Sequence, residues 1–392
     1  MKHPKSGAYP LALGAAAVCG VLVLTGCGAQ HKASGPSSSP PATSTANATA
    51  NATANANANA NAGGIACGKA AGLQASGSTA QQYAMRFWIK NYTRACPGTR
   101  ITYDGNGSGA GQADFLHGRT AFAGSDSALS PAQITRSKSA CTNGGHAVDL
   151  PVVGGPIAVG YHVKGVGRLV LDAPTLAKIF NSQITTWNDP AIAELNPGTT
   201  LPKMPIRPFH RSDASGTTDN FTSYLSATAA GAWPYPHGKQ WVAKGGQSAK
   251  GSSGLAAEVK QTAGAIGYFE LSYAIDNAIP MTAIATGASS PVDPNIINAS
   301  KAIAGAKITG TAGDITLALD YTTKAANAYP IDMVTYEVVC NTGNKPATWP
   351  VTKAFLTYVA GQKGQQDLSF QGYATLPAGV INKVRAGINS MP

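Results

Sequence analysis

The chain of 392 residues has little charge, few aromatic rings and almost no long apolar run. Asp, Glu, Lys and Arg make up 12% of it, and Phe, Trp and Tyr 7%. The basic excess is formally +11, or +9 once Lys2 and Lys5 leave with the leader described below. No cluster of Lys/Arg interleaved with aromatics appears, so a nucleic-acid surface is excluded. A mild positive field does suit a small anionic ligand. No Gly-x-Ser-x-Gly surrounds a serine: Ser108 is flanked at the required places by Asn106 and Ala110, Ser215 by Asp213 and Thr217. A nucleophile elbow is therefore missing. The phosphate loop that ends in Gly-Lys-Ser/Thr is missing as well. His117, His146, His162, His210 and His237 show no ligand pairing at helical spacing, and no Cys-x-x-Cys occurs. Neither a metal nor a cofactor is expected. GNGSGA at 105–110 matches the dinucleotide fingerprint, with Asp126 downstream. Yet Ile101 to Asp126 is tight for a strand–helix–strand unit of that kind, and an exported chain meets little nicotinamide.

The apolar run LALGAAAVCGVLVL follows Lys2 and Lys5. It is too short for a stable span, which takes ~20 apolar residues. A basic head, an apolar middle and small residues before Cys27 read as a secretory leader over 1–26. Leu24-Thr25-Gly26-Cys27 resembles a bacterial lipobox, in which Cys27 is acylated and becomes the mature N-terminus. Residues 27–64, rich in Ala, Asn, Ser, Thr and Pro, bury too little surface to offset the entropy of ordering. They read as a tether between a membrane anchor and the folded part. That part, from about residue 65 to the end, is long enough for two domains.

Four cysteines remain there: Cys67, Cys96, Cys141 and Cys340. An even count in an exported protein points to two disulfides, with three connectivities open. Cys67 precedes the first strand and Cys96 ends the helix after it, so both come to one edge of a sheet. This favours Cys67–Cys96 and leaves Cys141–Cys340.

Strand-like and helix-like segments alternate, which argues an α/β architecture with mostly parallel strands. Strands are expected at 71–75, 100–103, 120–123, 157–161, 206–209, 265–270 and 333–339. Between the first two lies a helix with Ala84, Trp88 and Tyr92 on one face. Four times a strand gives way to a small polar loop: SGST at 76–79, GNGSG at 105–109, GSD at 124–126 and RSDASGTT at 211–218. In open α/β sheets, ligands bind outside the carboxyl ends of strands, where such loops fall. Ser78 or Thr79, Ser108, and Ser215 or Thr217 are N-cap candidates, and the free N–H groups of a helix start attract anions. Arg211 offers a planar fork of donors for a tetrahedral oxyanion. Asp213 would repel an anion, so it is expected to hold Arg211 from behind. Gly216 lets the backbone approach closely.

LQASGSTAQQYAMRFW, DGNGSGAG, FAGSDSALS, VVGGPIAVGY, LDAPTLAKIFNSQITTWNDPAIAELNPGTTLP, HRSDASGTTDNFTSYL and GAIGYFE occur in this order. In order and spacing the chain resembles the phosphate-binding lipoprotein of bacterial high-affinity phosphate importers, over essentially all of 70–392. The four cysteines and the Asn-rich tether look most like actinobacterial members. The resemblance implies a periplasmic-binding-protein fold of type II: two α/β domains joined by a hinge that the chain crosses twice, with the ligand in the cleft. It places the crossings near Val152–Gly155 and Ala285–Ser290. Domain I would be 65–152 plus 287–392, and domain II 153–286. It implies inorganic phosphate as ligand, held by Thr79, the main-chain N–H of Ala80, Ser108, Arg211, Ser215, Gly216 and Thr217, with Ser78 and Asp213 behind them. Asp126 would accept a hydrogen from the ligand. Ala80 stands where many relatives carry an aromatic, and His210 where some carry a second arginine. The implied partner is an importer permease with a cytoplasmic ATPase. A monomeric, non-enzymatic protein lipid-anchored at the outer face of the cell membrane is expected. A secreted phosphatase and a surface adhesin on the same fold are the alternatives.

Overall fold

The computed structural model describes residues 65–311, 313–366 and 368–392. The leader, Cys27 and the tether lie outside the described residues. The chain begins with β1 (Gly72–Gly77), α1 (Gln82–Ala95), β2 (Arg100–Asp104), α2 (Ser108–Leu116), β3 (Phe122–Ser125) and α3 (Pro131–Ser137). A 15-residue strand, β4 (Ala147–Tyr161), is buried along its whole length. Next come β5 (Leu169–Asp172), α4 (Ala173–Phe180), α5 (Pro190–Leu195), β6 (Arg207–Arg211) and α6 (Gly216–Thr228). They are followed by β7 (Gln247–Ala249), α7 (Gly251–Gln261), β8 (Ala265–Glu270), α8 (Leu271–Asn277) and β9 (Thr282–Ala285). The remainder is α9 (Ile296–Ala304), β10 (Lys307–Ile308), β11 (Leu317–Ala318), β12 (Asp332–Cys340), α10 (Trp349–Ala360), α11 (Gln362–Gln366) and α12 (Ala378–Ser390).

Eight strands share one sheet in the order β2-β1-β3-β12-β4-β8-β6-β7. Strand β4 joins its two halves: it pairs with β12 through Pro156 and with β8 from Ile157 onward, antiparallel in both cases. Outside this antiparallel middle, β2, β1 and β3 run parallel, as do β8, β6 and β7. A second parallel pair, β5–β9, stands apart. The expected strands are all present, but β5, β7, β9, β10, β11 and the first half of β4 are not among them. Their short or continuously apolar runs lack the period-two alternation that marks a half-buried strand. The strand–helix–strand unit of β2, α2 and β3 does fit its short span, because α2 has nine residues. It is not a dinucleotide unit of adjacent strands, since β1 lies between β2 and β3.

Two large cores flank the sheet halves. In the first lobe Trp88 and Tyr92 of α1 pack with Val339, Phe355 and Leu356. In the second, Phe180, Trp187, Phe221 and Tyr268 pack together, with Tyr268 stacked on Phe221 at 4.3 Å between centroids. Each large apolar side chain so buried stabilises the fold by about 1.5–3 kcal/mol. Two of the buried indoles are paired, Trp88 donating to Gly364 O at 2.6 Å and Trp187 to Gly264 O at 3.1 Å, whereas the indole N–H groups of Trp233 and Trp241 have no partner. The residues leading into β12 lean on the second core, where Tyr329 donates to Ile157 O at 2.9 Å. Cys67–Cys96 and Cys141–Cys340 are both bonded, as the chain order of strand and helix suggests. Among the described residues no helix is long and apolar enough to cross a membrane.

Candidate functional site

Parallel pairing puts the carboxyl ends of β1 and β3 side by side, and with them the loops at 76–79 and 124–126. Gly77 makes this approach possible: at φ +144° it has no β-carbon to meet Gly124 O, which would lie 2.0 Å away. Ser78 then donates its N–H to Gly124 O at 2.9 Å and its hydroxyl to Asp126 Oδ1 at 2.5 Å. The same hydroxyl accepts the N–H of Ala80 at 2.9 Å. Thr79 Oγ1 lies 2.9 Å from Ser252 Oγ and accepts the Ser252 N–H at 3.1 Å. From the next loop, Ser108 Oγ lies 3.2 Å from Asp126 Oδ2 and accepts the Asp126 N–H at 3.2 Å.

Two of the expected N-caps are not caps. Helix α1 starts at Gln82 after Gln81, and Ser78 and Thr79 stay in the loop before it. Ser108 is the first residue inside α2, preceded by Gly107 at φ +101°. In both loops the hydroxyls are drawn to Asp126 or to the opposite lobe, contacts that local sequence does not reveal. Ser215 does cap α6, accepting the Thr218 N–H at 3.2 Å.

The second lobe contributes the carboxyl ends of β6, β7 and β8. Arg211 ends β6 and is 2% exposed. Its Nε and Nη2 donate to Asp213 Oδ1 and Oδ2 at 2.8 and 2.5 Å, and its Nη1 to Ser252 Oγ at 3.1 Å. Asp213 thus holds the guanidinium from behind, and it also accepts the Gly251 N–H at 3.0 Å. His210 falls on the other face of the strand, as alternation requires. It stacks on Trp241 at 4.8 Å and 6°. Thr217 donates to Glu270 Oε1 at 2.8 Å.

The two sets meet directly. Gly109 N–H donates to Ala214 O at 2.9 Å, Thr79 touches Ser252, and Asn220 Nδ2 donates to Asp126 O at 2.7 Å. Thr79, Ser108, Asp126, Arg211, Ser215 and Thr217 are all buried. Ser252, Asn220 and Glu270 belong to the same cluster without having been singled out in the sequence. Ser252 did carry a signal, since KGSSG at 250–254 is a further small polar stretch after a strand, here forming the first turn of α7. Glu270 carried none beyond its place at the end of a strand. An open cavity of about 350 Å³ lined by Asp172, Tyr224, Tyr321 and Lys324, among others, shares no residue with this cluster.

Three carboxyls surround one guanidinium here. Burial, with the charge of Glu270 added, pushes Asp126 up to about 7 against the opposing pull of Ser78, Arg211 and Ser108. Burial also raises Glu270, against Arg211 and Thr217. Burial works the same way on Asp213, but the hydrogen bonds and charge of Arg211 outweigh it and leave that group below its ordinary value. Chemically the cluster offers hydroxyls, main-chain N–H groups at the start of α6 and a guanidinium, and one carboxyl ready to share a hydrogen. Among the described residues no three His, Cys, Asp or Glu side chains are placed to hold a metal ion. Such a set of donors suits an oxyanion.

Comparison with known proteins agrees with this chemistry. Residues 38–363 match the family model described as the PBP superfamily domain. Phosphate-binding protein PstS 2 of Mycobacterium tuberculosis is 42% identical over 322 residues, covering 81% of this chain and 87% of that protein. Phosphate-binding protein PstS 3 of Mycobacterium leprae is 41% identical, covering 81% and 86%. Among solved structures, a high-affinity periplasmic phosphate-binding protein (PfluDING) bound with phosphate superimposes with a TM-score of 0.66 at 21% identity. That superposition covers 81% of this chain and 93% of that one, and it supports the fold.

Proposed function

The chain belongs to the PstS family of phosphate-binding proteins within the PBP superfamily, and we propose that it captures inorganic phosphate between its lobes and hands it to an ABC importer. The observation that carries this reading is the convergence of Arg211 and the α6 start with Thr79, Ser108 and Asp126 on one buried point. Arg211, Thr79, Ser108, Ser215, Thr217 and the Gly216 N–H would donate to the ion, backed by Ser78 and Asp213. The Ala80 N–H, which donates to Ser78 Oγ, would turn to the ligand when that hydroxyl moves. Charge-assisted hydrogen bonds contribute about 1.5–3 kcal/mol each, so such a set offsets the cost of dehydrating the ion.

Asp126 supplies the selection. A carboxylate facing an anion is unfavourable unless the ligand brings a hydrogen for it. Phosphate carries one near neutral pH and sulfate does not, and a buried polar group left unpaired can discriminate by ~10⁴-fold. Lobe closure would be favoured because both lobes donate to one ion, with bending near Val152–Gly155 and Ala285–Ser290 between domains 65–152 plus 287–392 and 153–286. The protein would act as a monomer without turnover, outside the cytoplasm. Cys27 would carry the lipid at the outer face of the cell membrane, and 27–64 would be the tether to a permease served by a cytoplasmic ATPase. Calorimetric titration with phosphate, sulfate and arsenate tests the reading: phosphate is expected to bind and sulfate to leave no heat. Equal binding of sulfate, or none of phosphate, overturns it.

A further inference from the structure

Asp213 already neutralises Arg211 through two hydrogen bonds. Asp126 and Glu270 are then left in a buried cluster with no further cation among the groups that act on them. Glu270, at the carboxyl end of β8, is 2% exposed, and its Oε1 accepts from Thr217 Oγ1 at 2.8 Å. Its Oε2 has no partner of good hydrogen-bond geometry, and Ser252 joins Thr217 in favouring the charged form. A threonine hydroxyl has one hydrogen and two lone pairs. While Thr217 gives that hydrogen to Glu270, its oxygen has only lone pairs to offer anything else. A protonated Glu270 carries a hydrogen of its own. It can then donate to Thr217 Oγ1, which leaves the threonine hydrogen free to point at an anion.

We propose that Glu270 is a specificity-determining residue acting through Thr217: the presence or absence of its proton decides whether the Thr217 hydroxyl donates to bound phosphate or accepts from it. The inference rests on the reading of this cleft as a phosphate site. With Glu270 ionised, Thr217 becomes a second acceptor beside Asp126. Dihydrogen phosphate then satisfies both, hydrogen phosphate one, and sulfate neither. With Glu270 protonated by solvent, Thr217 donates to any of them. The titratable and charged groups acting on Glu270 or sensing it are Arg211 of β6, Asp126 after β3, Tyr273 of its own helix α8 and Tyr373 ahead of α12. Burial favours the neutral acid and outweighs the pull of Arg211.

The test is calorimetric titration of inorganic phosphate into the full chain and its variants from pH 6 to pH 9. Glu270→Gln keeps the shape of the side chain and cannot ionise. It is expected to bind like the native protein at the acid end, where Glu270 holds its proton, and about tenfold more tightly once Glu270 has ionised, the worth of one charge-assisted hydrogen bond. Removing the Glu270 charge also acts on Asp126 and on the anion directly, with or without the Thr217 hydroxyl, so the Thr217→Val background measures that part separately. In a Thr217→Val background the gain at the alkaline end should shrink to what the loss of the Glu270 charge alone supplies. A ratio that stays flat with pH overturns the role of Glu270, and a gain that survives undiminished in Thr217→Val overturns the hydroxyl switch. Should Glu270→Gln fail to fold, Thr217→Val alone decides: its loss of affinity must be greater at the acid end, where the hydroxyl donates, than at the alkaline end. An equal loss at both ends refutes the proposal. Absence of phosphate binding by the native protein at every pH would instead refute the phosphate site itself.

Discussion

Gly216 of the second lobe lies so close to Asp126 of the first that a β-carbon on it would stand 2.6 Å from Asp126 Cβ, and 2.8 Å from Ser108 Oγ. The start of α6 is therefore packed against the β-carbon and main chain of the residue that would select the ligand, and the absence of a side chain at 216 is what permits it. Gly216→Ala should hold the lobes apart. Overpacking of this kind costs about 1–3 kcal/mol, so phosphate affinity is expected to fall roughly ten- to a hundredfold. The ligand-free melting temperature should change little, because the lobes can separate. Calorimetry beside a thermal melt checks both halves.

Asp126→Asn replaces an acceptor by a group that can also donate. Phosphate should bind about tenfold or more weakly, the worth of one hydrogen bond to a charged group. Sulfate, which finds no clash with an amide, should gain. An unchanged phosphate-to-sulfate ratio would show that Asp126 does not select.

Asp149 lies on β4 in the first lobe, fully buried, and accepts the Leu129 N–H at 2.9 Å. Burial pushes its carboxyl up to about 7, opposed by that hydrogen bond and reinforced by the charge of Asp314. An unfolded aspartate titrates near 4, so the folded protein keeps a proton that the unfolded chain releases between about 4 and 7. Stability from this group is complete below about 4 and is lost as pH rises to 7. Asp126, also at about 7, acts with the same sign. Asp149→Asn cannot ionise and still accepts from Leu129. Its stability relative to the native protein should grow from pH 4 to pH 7 and stay level above, as read from urea unfolding at pH 5 and pH 8.

The two disulfides enclose very different lengths of chain, with sequence separations of 29 and 199. Loop-closure entropy makes the longer one worth roughly 1–2 kcal/mol more. Replacing Cys141 and Cys340 together by serine should lower unfolding stability more than replacing Cys67 and Cys96. Denaturant titration of the two double variants gives the comparison.

The loops that carry most of the cluster were legible because their chemistry is local. Hydroxyls, glycine and one arginine at the end of a strand announce a helix start facing a ligand, and RSDASGTT at 211–218 does so almost in full. Ser78 and Ser108 were misread as caps because capping is the nearest available use for a serine before a helix. In the fold a stronger partner, Asp126, takes them from a distant strand end. Glu270 was illegible for the converse reason. A single acid at the end of an apolar strand looks like a solvated terminus until Thr217 and Arg211 are brought to it from more than fifty residues away in sequence.

Residue order alone determined the α/β alternation and the small polar loops at the strand ends, since both follow from composition and spacing along one stretch of chain. Which hydroxyl gives its hydrogen to which carboxyl was decided only by the tertiary structure. Hydrogen bonds and charges act through space, and burial raises Asp126 and Asp149 to about 7 and raises Glu270 as well.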